Sequence, residues 1–221
     1  MEKQEYTIST QIIGTEDGKL TYEVRKTISI EEGKRAVLIA LYPTVSLLSP
    51  YTMDNSTLFL LNRAQELGYN DFRIVNIYSK VCKGKVSSKQ LFRDDDNIAY
   101  LEKVFVEEQN NNTDILIAWG TSFKLNETSK NIKIEVLQML KKIIKEKNIK
   151  QLTADDLDTE SLLTPHVLWL GLHCKDTWNT KSVSIDQLLL SLGVNIQKRG
   201  RKKKKGDETI INKIMSNEDA S

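Results

Sequence analysis

The first thirty residues of the chain alternate apolar and polar positions, and a continuously apolar run follows them. Residues 6–13 (YTISTQII) and 20–28 (LTYEVRKTI) alternate apolar and polar side chains, and the EDGK segment between them is typical of a tight turn. This pattern predicts a β-hairpin. Residues 35–42 (RAVLIALY) form a nearly continuous apolar run with Val and Ile, as expected of a strand buried on both faces. We therefore expect this strand near the centre of a sheet.

Helical and strand patterns alternate after this first central strand. Residues 54–68 place leucines and an alanine three or four positions apart, which predicts an amphipathic helix that docks on the sheet. Further strands are predicted at 72–78, 114–120 and 166–172, and further helices at 95–108, 130–147 and 184–193. Strands that alternate with helices form parallel crossovers. The predicted fold is therefore α/β, a three-layer α/β/α arrangement with a mainly parallel central sheet of about four strands plus the N-terminal β-hairpin.

The charge distribution separates a core from a tail. The 221 residues carry a net charge of +2, yet residues 198–205 (KRGRKKKK) contain no acidic side chain. We predict a single α/β domain over 1–196, with the hairpin in 1–30 and the core in 35–193, and a basic, flexible tail over 197–221. The basic residues of the tail are Lys198, Arg199, Arg201, Lys202, Lys203, Lys204 and Lys205. So dense a run predicts contact with nucleic acid, and a solvated, solubilising tail is the alternative.

Composition limits the compartment and the cofactor chemistry. No stretch reaches the ~18 apolar residues of a membrane span, and the first residues lack the apolar region of a signal peptide. We therefore expect a cytoplasmic protein without a membrane partner. Cys82 and Cys174 form no CxxC pair, which suits a reducing compartment and buried, unreactive thiols. The chain has neither a GxGxxG nor a P-loop motif, and we expect no cofactor.

Two groups of residues bear on metal binding. His166, His173 and Cys174 are potential ligands, but positions 166 and 173 stand at opposite ends of the predicted strand, roughly 20 Å apart at ~3.3 Å per residue. The acidic run at 94–96 could bind Mg²⁺ or cap the start of a helix. We predict separate structural roles for the first group and a helix cap for the second, and hence no metal site.

Candidate binding residues follow three of the predicted parallel strands. In open α/β sheets ligands bind at the carboxyl ends of the strands. At those ends the sequence places Tyr42, Pro43, Thr44, Asn76, Tyr78, Trp119 and Gly120. The amide of Asn76 offers a donor and an acceptor to the edge of a base, although an Asn here could equally cap a loop. Trp119 and Gly120 could form a stacking face with close backbone approach, or a core aromatic followed by a turn.

The motifs at these loops resemble a known family. In order along the chain they are LYPT (41–44), MDNST (53–57), GYNDFRIVNIY (68–78), DN (96–97) and IAWG (117–120). The same order is typical of the bacterial domain-of-unknown-function family sixteen forty-three, and the resemblance spans about residues 35–190. Tyr42 stands where that family usually has Asn, and its late His-Pro-Leu position falls in 179–187, which has neither His nor Pro. Because the family has no established activity, the resemblance bears on fold and site location.

A more distant resemblance connects the same positions to the uracil-DNA glycosylase superfamily. That superfamily has a Pro-containing loop after its first core strand, an Asn that ends an apolar strand, a Trp-Gly-like strand end and a late His-Pro-Ser loop. The resemblance implies that Asn76 recognises an extruded base between Tyr42 and Trp119. The chemistry also uses an acid in the first loop to orient water, and LYPT offers none. Asp54 is the nearest carboxylate and the candidate catalytic residue, although it could simply cap a helix.

Three functional hypotheses follow from these observations. The first is a nucleic-acid-associated protein with a glycosylase-like base or nucleotide pocket, with or without catalytic activity, whose tail supplies affinity for phosphates. The second is an enzyme that acts on a small nucleotide or nucleoside in the same pocket. The third is an interaction module from a phage or mobile element, whose partner is another protein. Whether the protein is an enzyme, and its oligomeric state, stay open at this point.

Overall fold

Seven strands form one mixed sheet. The structure, a computed structural model, describes residues 3–29, 32–84, 86–123, 126–157 and 163–195, so the predicted basic tail lies outside the described residues. The strands are β1 (Ile8–Gly14), β2 (Thr21–Ile28), β3 (Lys34–Ala40), β4 (Tyr69–Asn76), β5 (Asp114–Ile117), β6 (Ile149–Ala154) and β7 (Trp178–Ser182). Their order across the sheet is β1-β2-β4-β3-β5-β6-β7.

The central strands of this sheet are parallel and its edges are antiparallel. β4, β3, β5 and β6 pair in parallel. The hairpin of β1 and β2 adds to β4 at one edge, and β7 adds to β6 at the other, both in antiparallel fashion. The predicted α/β class and N-terminal hairpin are thus confirmed. The sheet is larger and more mixed than the predicted one of about four strands.

Helices cover both faces of the sheet. They are α1 (Asn55–Asn62), α2 (Ala64–Leu67), α3 (Asp95–Glu108), α4 (Glu127–Ile143), α5 (Val167–His173) and α6 (Ile185–Ser191). Residues of α1 and α5 share a core with Leu38 and Leu116, and residues of α3, α4 and α6 share a second core with Ile39 and Ile117. Adjacent residues of β3 and β5 therefore face opposite cores, as the two-residue period of a strand requires. None of the helices in the described ranges is long and apolar enough to span a membrane.

Aspartates cap the two helices that follow β3 and β4. The Asp54 carboxylate accepts a hydrogen bond from the backbone N–H of Thr57 at 2.9 Å, at the start of α1. The Asp94 carboxylate accepts one from the backbone N–H of Asp96 at 3.1 Å, at the start of α3. Each satisfies an N–H that has no partner within its helix. The acidic run at 94–96 is therefore a helix cap.

The second half of the sheet differs from the prediction. Residues 166–172, predicted as the fourth strand, instead form the cap and most of α5, and ring Nδ1 of His166 accepts a hydrogen bond from the backbone N–H of Leu168 at 3.1 Å. The apolar run VLWLGL (167–172) suits either a strand or a helix, and the polar cap before it selects the helix. The fourth parallel strand is β6, and β7 forms the edge. Neither was predicted, because β7 is polar and only its Trp178 is buried.

A network of charged side chains joins β2, β3, β4 and α3. The Arg73 guanidinium donates to both carboxylate oxygens of Glu23, at 2.9 and 2.8 Å, and to Glu108 at 2.9 Å. Arg35 donates to Glu108 at 3.1 Å and to Asp71 at 2.7 Å. Arg73, Glu23 and Glu108 are buried. Buried charges are tolerated only with partners of this kind. We call these five residues the Arg73 network.

Candidate functional site

Two cavities open at the carboxyl ends of the parallel strands. The first, of about 110 Å³, lies between the sheet and helices α1 and α5. We call it the Asn76 pocket and define it by Tyr42, Pro43, Thr44, Asp54, Asn76 and His166. Its remaining walls are mostly apolar, from Val24, Leu38, Leu60 and Ile74. A protein cavity of ~150 Å³ takes up benzene, so the Asn76 pocket is somewhat smaller than that cavity and can hold at most part of a ligand larger than one small ring.

Asn76 is the last residue of β4 and is only 3% exposed. Its backbone carbonyl accepts a hydrogen bond from the side chain of Asn97 at 2.9 Å. Among the described residues, no hydrogen bond engages the Asn76 side-chain amide. The residue is buried, but its amide atoms are not sealed from solvent, so the amide reaches the space of the pocket. With two donors and one acceptor, it is available to a ligand there.

His166 enters the pocket from the loop before α5. Its ring Nδ1 accepts the hydrogen bond that caps α5, so the proton of the neutral ring is assigned to Nε2. Burial lowers the pKa of His166, and the negative charge of Asp54 offsets part of this effect. The ring is therefore neutral near pH 7. It supplies an N–H donor without adding positive charge to the pocket.

Asp54 lines the same pocket while it caps α1. One carboxylate oxygen accepts from the Thr57 backbone N–H at 2.9 Å, and the other accepts from the Thr57 hydroxyl at 3.0 Å. These bonds fix the orientation of the carboxylate. Each carboxylate oxygen has a second lone pair, so Asp54 can still accept a hydrogen bond from a ligand or a water.

The loop after β3 is anchored from two sides. The Pro43 carbonyl accepts from the backbone N–H of Cys82 at 2.9 Å, and the Val45 carbonyl accepts from a threonine hydroxyl of β2 at 2.9 Å. The anchored backbone presents Tyr42 and Thr44, both partly buried, to the pocket. Burial raises the pKa of the Tyr42 hydroxyl, which keeps it neutral.

Trp119 and Gly120 lie at a second cavity, of about 150 Å³, at the end of β5. We call it the Lys133 pocket, and its lining also includes Phe123, Lys130, Lys133, Leu188 and Leu192. Trp119 packs in the core on the α3 and α4 face, so it does not form a wall of the Asn76 pocket. Gly120 has a φ of +68°, and a Cβ there would lie 3.0 Å from the Cβ of His166. Gly120, which lines the Lys133 pocket, thus packs closely against His166, which lines the Asn76 pocket.

Tyr78, a predicted site residue, and the residues weighed as metal ligands have structural positions. Tyr78 is 2% exposed, packs in the core beside α3 and α4, and lines neither pocket. His166 and His173 stand at the two ends of a helix rather than a strand, and ring Nδ1 of His173 lies 2.9 Å from the Trp169 carbonyl. Cys174 is buried, and burial raises its pKa. Within the described residues, no group of three His, Cys, Asp or Glu side chains could hold a metal ion.

The family of the chain is established over its central part. A family model described as protein of unknown function (DUF1643) matches residues 22–158, more than half of the 221-residue chain. The chain belongs to this family. The DUF1643 match includes Tyr42, Asp54, Asn76 and Trp119, and it ends before His166. The DUF1643 segment thus supplies most of the Asn76 pocket, apart from His166, Val167 and Leu168. It supplies about half of the Lys133 pocket, whose other lining residues are Leu163, Thr164, Leu188, Ser191 and Leu192.

No curated protein and no solved structure matches the chain. The resemblance to uracil-DNA glycosylases therefore rests on the sequence motifs alone.

Two pocket residues, His166 and Lys133, are not among those predicted from the sequence. The signal for His166 is its position directly before an apolar run, where a polar side chain can cap a helix. Lys133 has no comparable signal, because its burial depends on how α4 packs.

Proposed function

We propose that the Asn76 pocket binds a nucleobase and that the protein associates with nucleic acid, which presents the base to the pocket. The observation that carries the proposal is the buried Asn76 amide, which has no hydrogen-bond partner among the described residues and lines a cavity of about 110 Å³. Its donors and acceptor match the adjacent acceptor and donor groups on the edge of a base.

The charge of the lining disfavours an anionic ligand, because the Asp54 carboxylate lies in it. No Lys or Arg is among the described residues that line the Asn76 pocket, and His166 is neutral. A phosphate group would therefore find no cation there, whereas an uncharged heterocycle fits the apolar walls. The basic residues at 198–205 support contact with the phosphate backbone of a strand whose base enters the pocket.

Isothermal titration calorimetry with free bases and nucleosides tests the pocket. The full-length chain and an Asn76→Asp variant are titrated with uracil, cytosine, adenine and guanine and with their nucleosides. Asn76→Asp keeps the shape of the side chain but removes its two N–H donors. We expect it to weaken binding by about 10- to 100-fold, the cost of one bidentate base contact. Asn62→Asp, at an exposed position in α1, is the control and leaves affinity unchanged.

Fluorescence anisotropy with labelled single-stranded and duplex DNA tests the association with nucleic acid. A full-length variant in which the seven basic residues of 198–205 are replaced by Gln is compared with Asn76→Asp at low and near-physiological salt. We expect both variants to weaken binding, and only the Gln variant to reduce its salt dependence. If only the Gln variant weakens binding, the attraction is electrostatic and the pocket plays no part in it. If neither bases nor nucleosides bind, the proposal fails.

A second candidate function is an enzyme that acts on a small nucleoside or nucleotide. It is favoured by the presence of Asp54 and neutral His166 in one pocket, where the carboxylate could activate water and the ring N–H could hydrogen-bond the base. Chromatography of nucleosides incubated with the chain detects release of free base. Asp54→Asn and His166→Gln should each abolish the release. If the protein binds a base but releases no free base from nucleosides, the first proposal stands and this one is contradicted.

A further inference from the structure

Lys133 carries a buried ammonium group that has only weak hydrogen-bond partners in the protein. It is 4% exposed and lies on α4, one turn after Lys130. Its Nζ is 3.4 Å from the carbonyl oxygens of Gly120 and Ser122, and 5.8 Å from the centroid of the Trp119 ring. Hydrogen bonds of this type are usually 2.7–3.2 Å long, so both are weak. One of the three ammonium protons has no acceptor among the described residues.

The described lining of the Lys133 pocket carries positive charge and no negative charge. Within the described residues, no carboxylate forms an ion pair with Lys133, and none lines the cavity. Among the described lining residues, those from the loops and α6 have uncharged, non-titrating side chains, and the second cation is Lys130. Its Nζ lies 3.9 Å from the exposed carboxylate of Glu127, a loose contact. A buried charge without a counter-ion is costly, so the pocket favours a ligand that brings a negative charge.

We infer that the Lys133 pocket binds a small organic anion. Its carboxylate or phosphate group pairs with the Lys133 ammonium, and its apolar part packs against Trp119 and Leu192. An ion pair of this kind, shielded from water, is stronger than one on the surface. Lys130, which is partly exposed at the cavity, adds a second attraction for the anion. The site lies on the opposite face of the sheet from the Asn76 pocket and does not depend on that pocket's ligand.

Covalent chemistry fits this cavity less well than anion binding. Burial lowers the pKa of Lys133 to about 8, and a lysine of that kind can also attack a carbonyl carbon as a free amine. The attack needs a neighbouring group to give and take protons at the carbonyl oxygen. The described lining contains no carboxylate and no histidine for this role. Binding of an anion requires only the cation and the apolar wall that are present.

Isothermal titration calorimetry of the full-length chain at about pH 6.5 tests the inference. The probes are benzoate, phenyl phosphate and the uncharged analogue benzamide. We expect at least one of the two anions to bind, and the comparison between them distinguishes a carboxylate from a phosphate site. Lys133→Met should lower the affinity at least about tenfold, since it removes a charge-assisted contact. Lys142→Met, at an exposed position of the same helix, should leave the affinity unchanged.

Thermal unfolding and pH dependence complete the test. Lys133→Met should keep or raise the melting temperature at neutral pH, because it replaces an unpaired buried charge with an apolar chain. In the wild-type chain, affinity for the anion should fall as the pH rises through about 8, where Lys133 loses its proton. Equal affinity in Lys133→Met, equal affinity for benzamide, no binding of either anion, or an affinity independent of pH would each overturn the inference.

Discussion

Replacement of Glu108 by Gln tests how much the Arg73 network contributes to folding. Glu108 is 2% exposed, at the end of α3. One carboxylate oxygen accepts from Arg73 and Arg35, at 2.9 and 3.1 Å. The other accepts from Asn111 and Thr113, at 2.9 and 2.7 Å. The Glu108→Gln side chain keeps this shape, but its amide nitrogen cannot accept hydrogen bonds. Whichever oxygen becomes the amide nitrogen, two donors lose their acceptor, and one of the two, Arg73 or Thr113, is buried.

The pKa of Glu108 sets the size of the expected loss. Burial by itself raises this pKa, but hydrogen bonds from Asn111, Thr113 and Arg73 outweigh burial and lower it from 4.5 to about 2. At ~1.4 kcal/mol per pKa unit, the ionised carboxylate stabilises the fold by about 3 kcal/mol at neutral pH. Because the folded pKa is the lower one, this stabilisation is complete above the unfolded value of 4.5 and is lost as the pH falls towards 2.

Urea unfolding followed by circular dichroism measures the effect. At neutral pH we expect Glu108→Gln to lower the free energy of unfolding by about 3 kcal/mol, and the difference from wild type to fall to roughly half near pH 3. The matched control is Glu107→Gln. Glu107 contacts the same Arg73 at 2.9 Å, but its side chain is 42% exposed, so we expect a loss below ~1 kcal/mol. Equal losses in the two variants, or a loss that is independent of pH, would refute the reasoning.

Two further predictions concern the helices that border the Asn76 pocket. A Cβ at Gly171 would lie 2.1 Å from the ring of Phe59, so Gly171→Ala should push α5 away from α1 and cost about 1–3 kcal/mol in urea unfolding. An unchanged midpoint would contradict the close packing of α1 and α5. Asp54→Ala removes the cap of α1 and should cost about 1 kcal/mol, whereas Asp54→Asn keeps a capping side chain and should cost little. Equal losses in both variants would show that the charge, rather than the cap, matters.

The strongly periodic elements of the fold could be predicted from the sequence. The apolar run at 35–42 and the alternation at 20–28 identify β3 and β2, because burial on one or two faces leaves a clear pattern. The segment 166–172 could not be assigned in this way, since a short apolar run such as VLWLGL fits both a strand and a helix. β7 lies at the sheet edge, where only Trp178 is buried, so its sequence resembles a loop. β6 is almost entirely buried, but Lys150, Gln151 and Thr153 interrupt its apolar pattern.

Asn76 and Trp119 both lie at the carboxyl ends of parallel strands, but they do not share a pocket. Leu38 pairs with Ile74 on one side and Leu116 on the other, so all three side chains share a face of the sheet. Alternate residues of a strand face the same side of the sheet. Asn76 is two residues after Ile74 and therefore lies on that face. Trp119 is three residues after Leu116 and faces the opposite core. The sequence predicts the ends of the strands but not their register, and the register decides which end residues share a pocket.

The Arg73 network lies toward the amino ends of the parallel strands, and both pockets open at the carboxyl ends. None of the five residues of the Arg73 network lines either pocket. A substitution in a pocket leaves the Arg73 network intact. Selection can therefore retain that substitution without a compensating change in the network. This separation allows the scaffold to acquire a new ligand by small steps during evolution while it continues to fold.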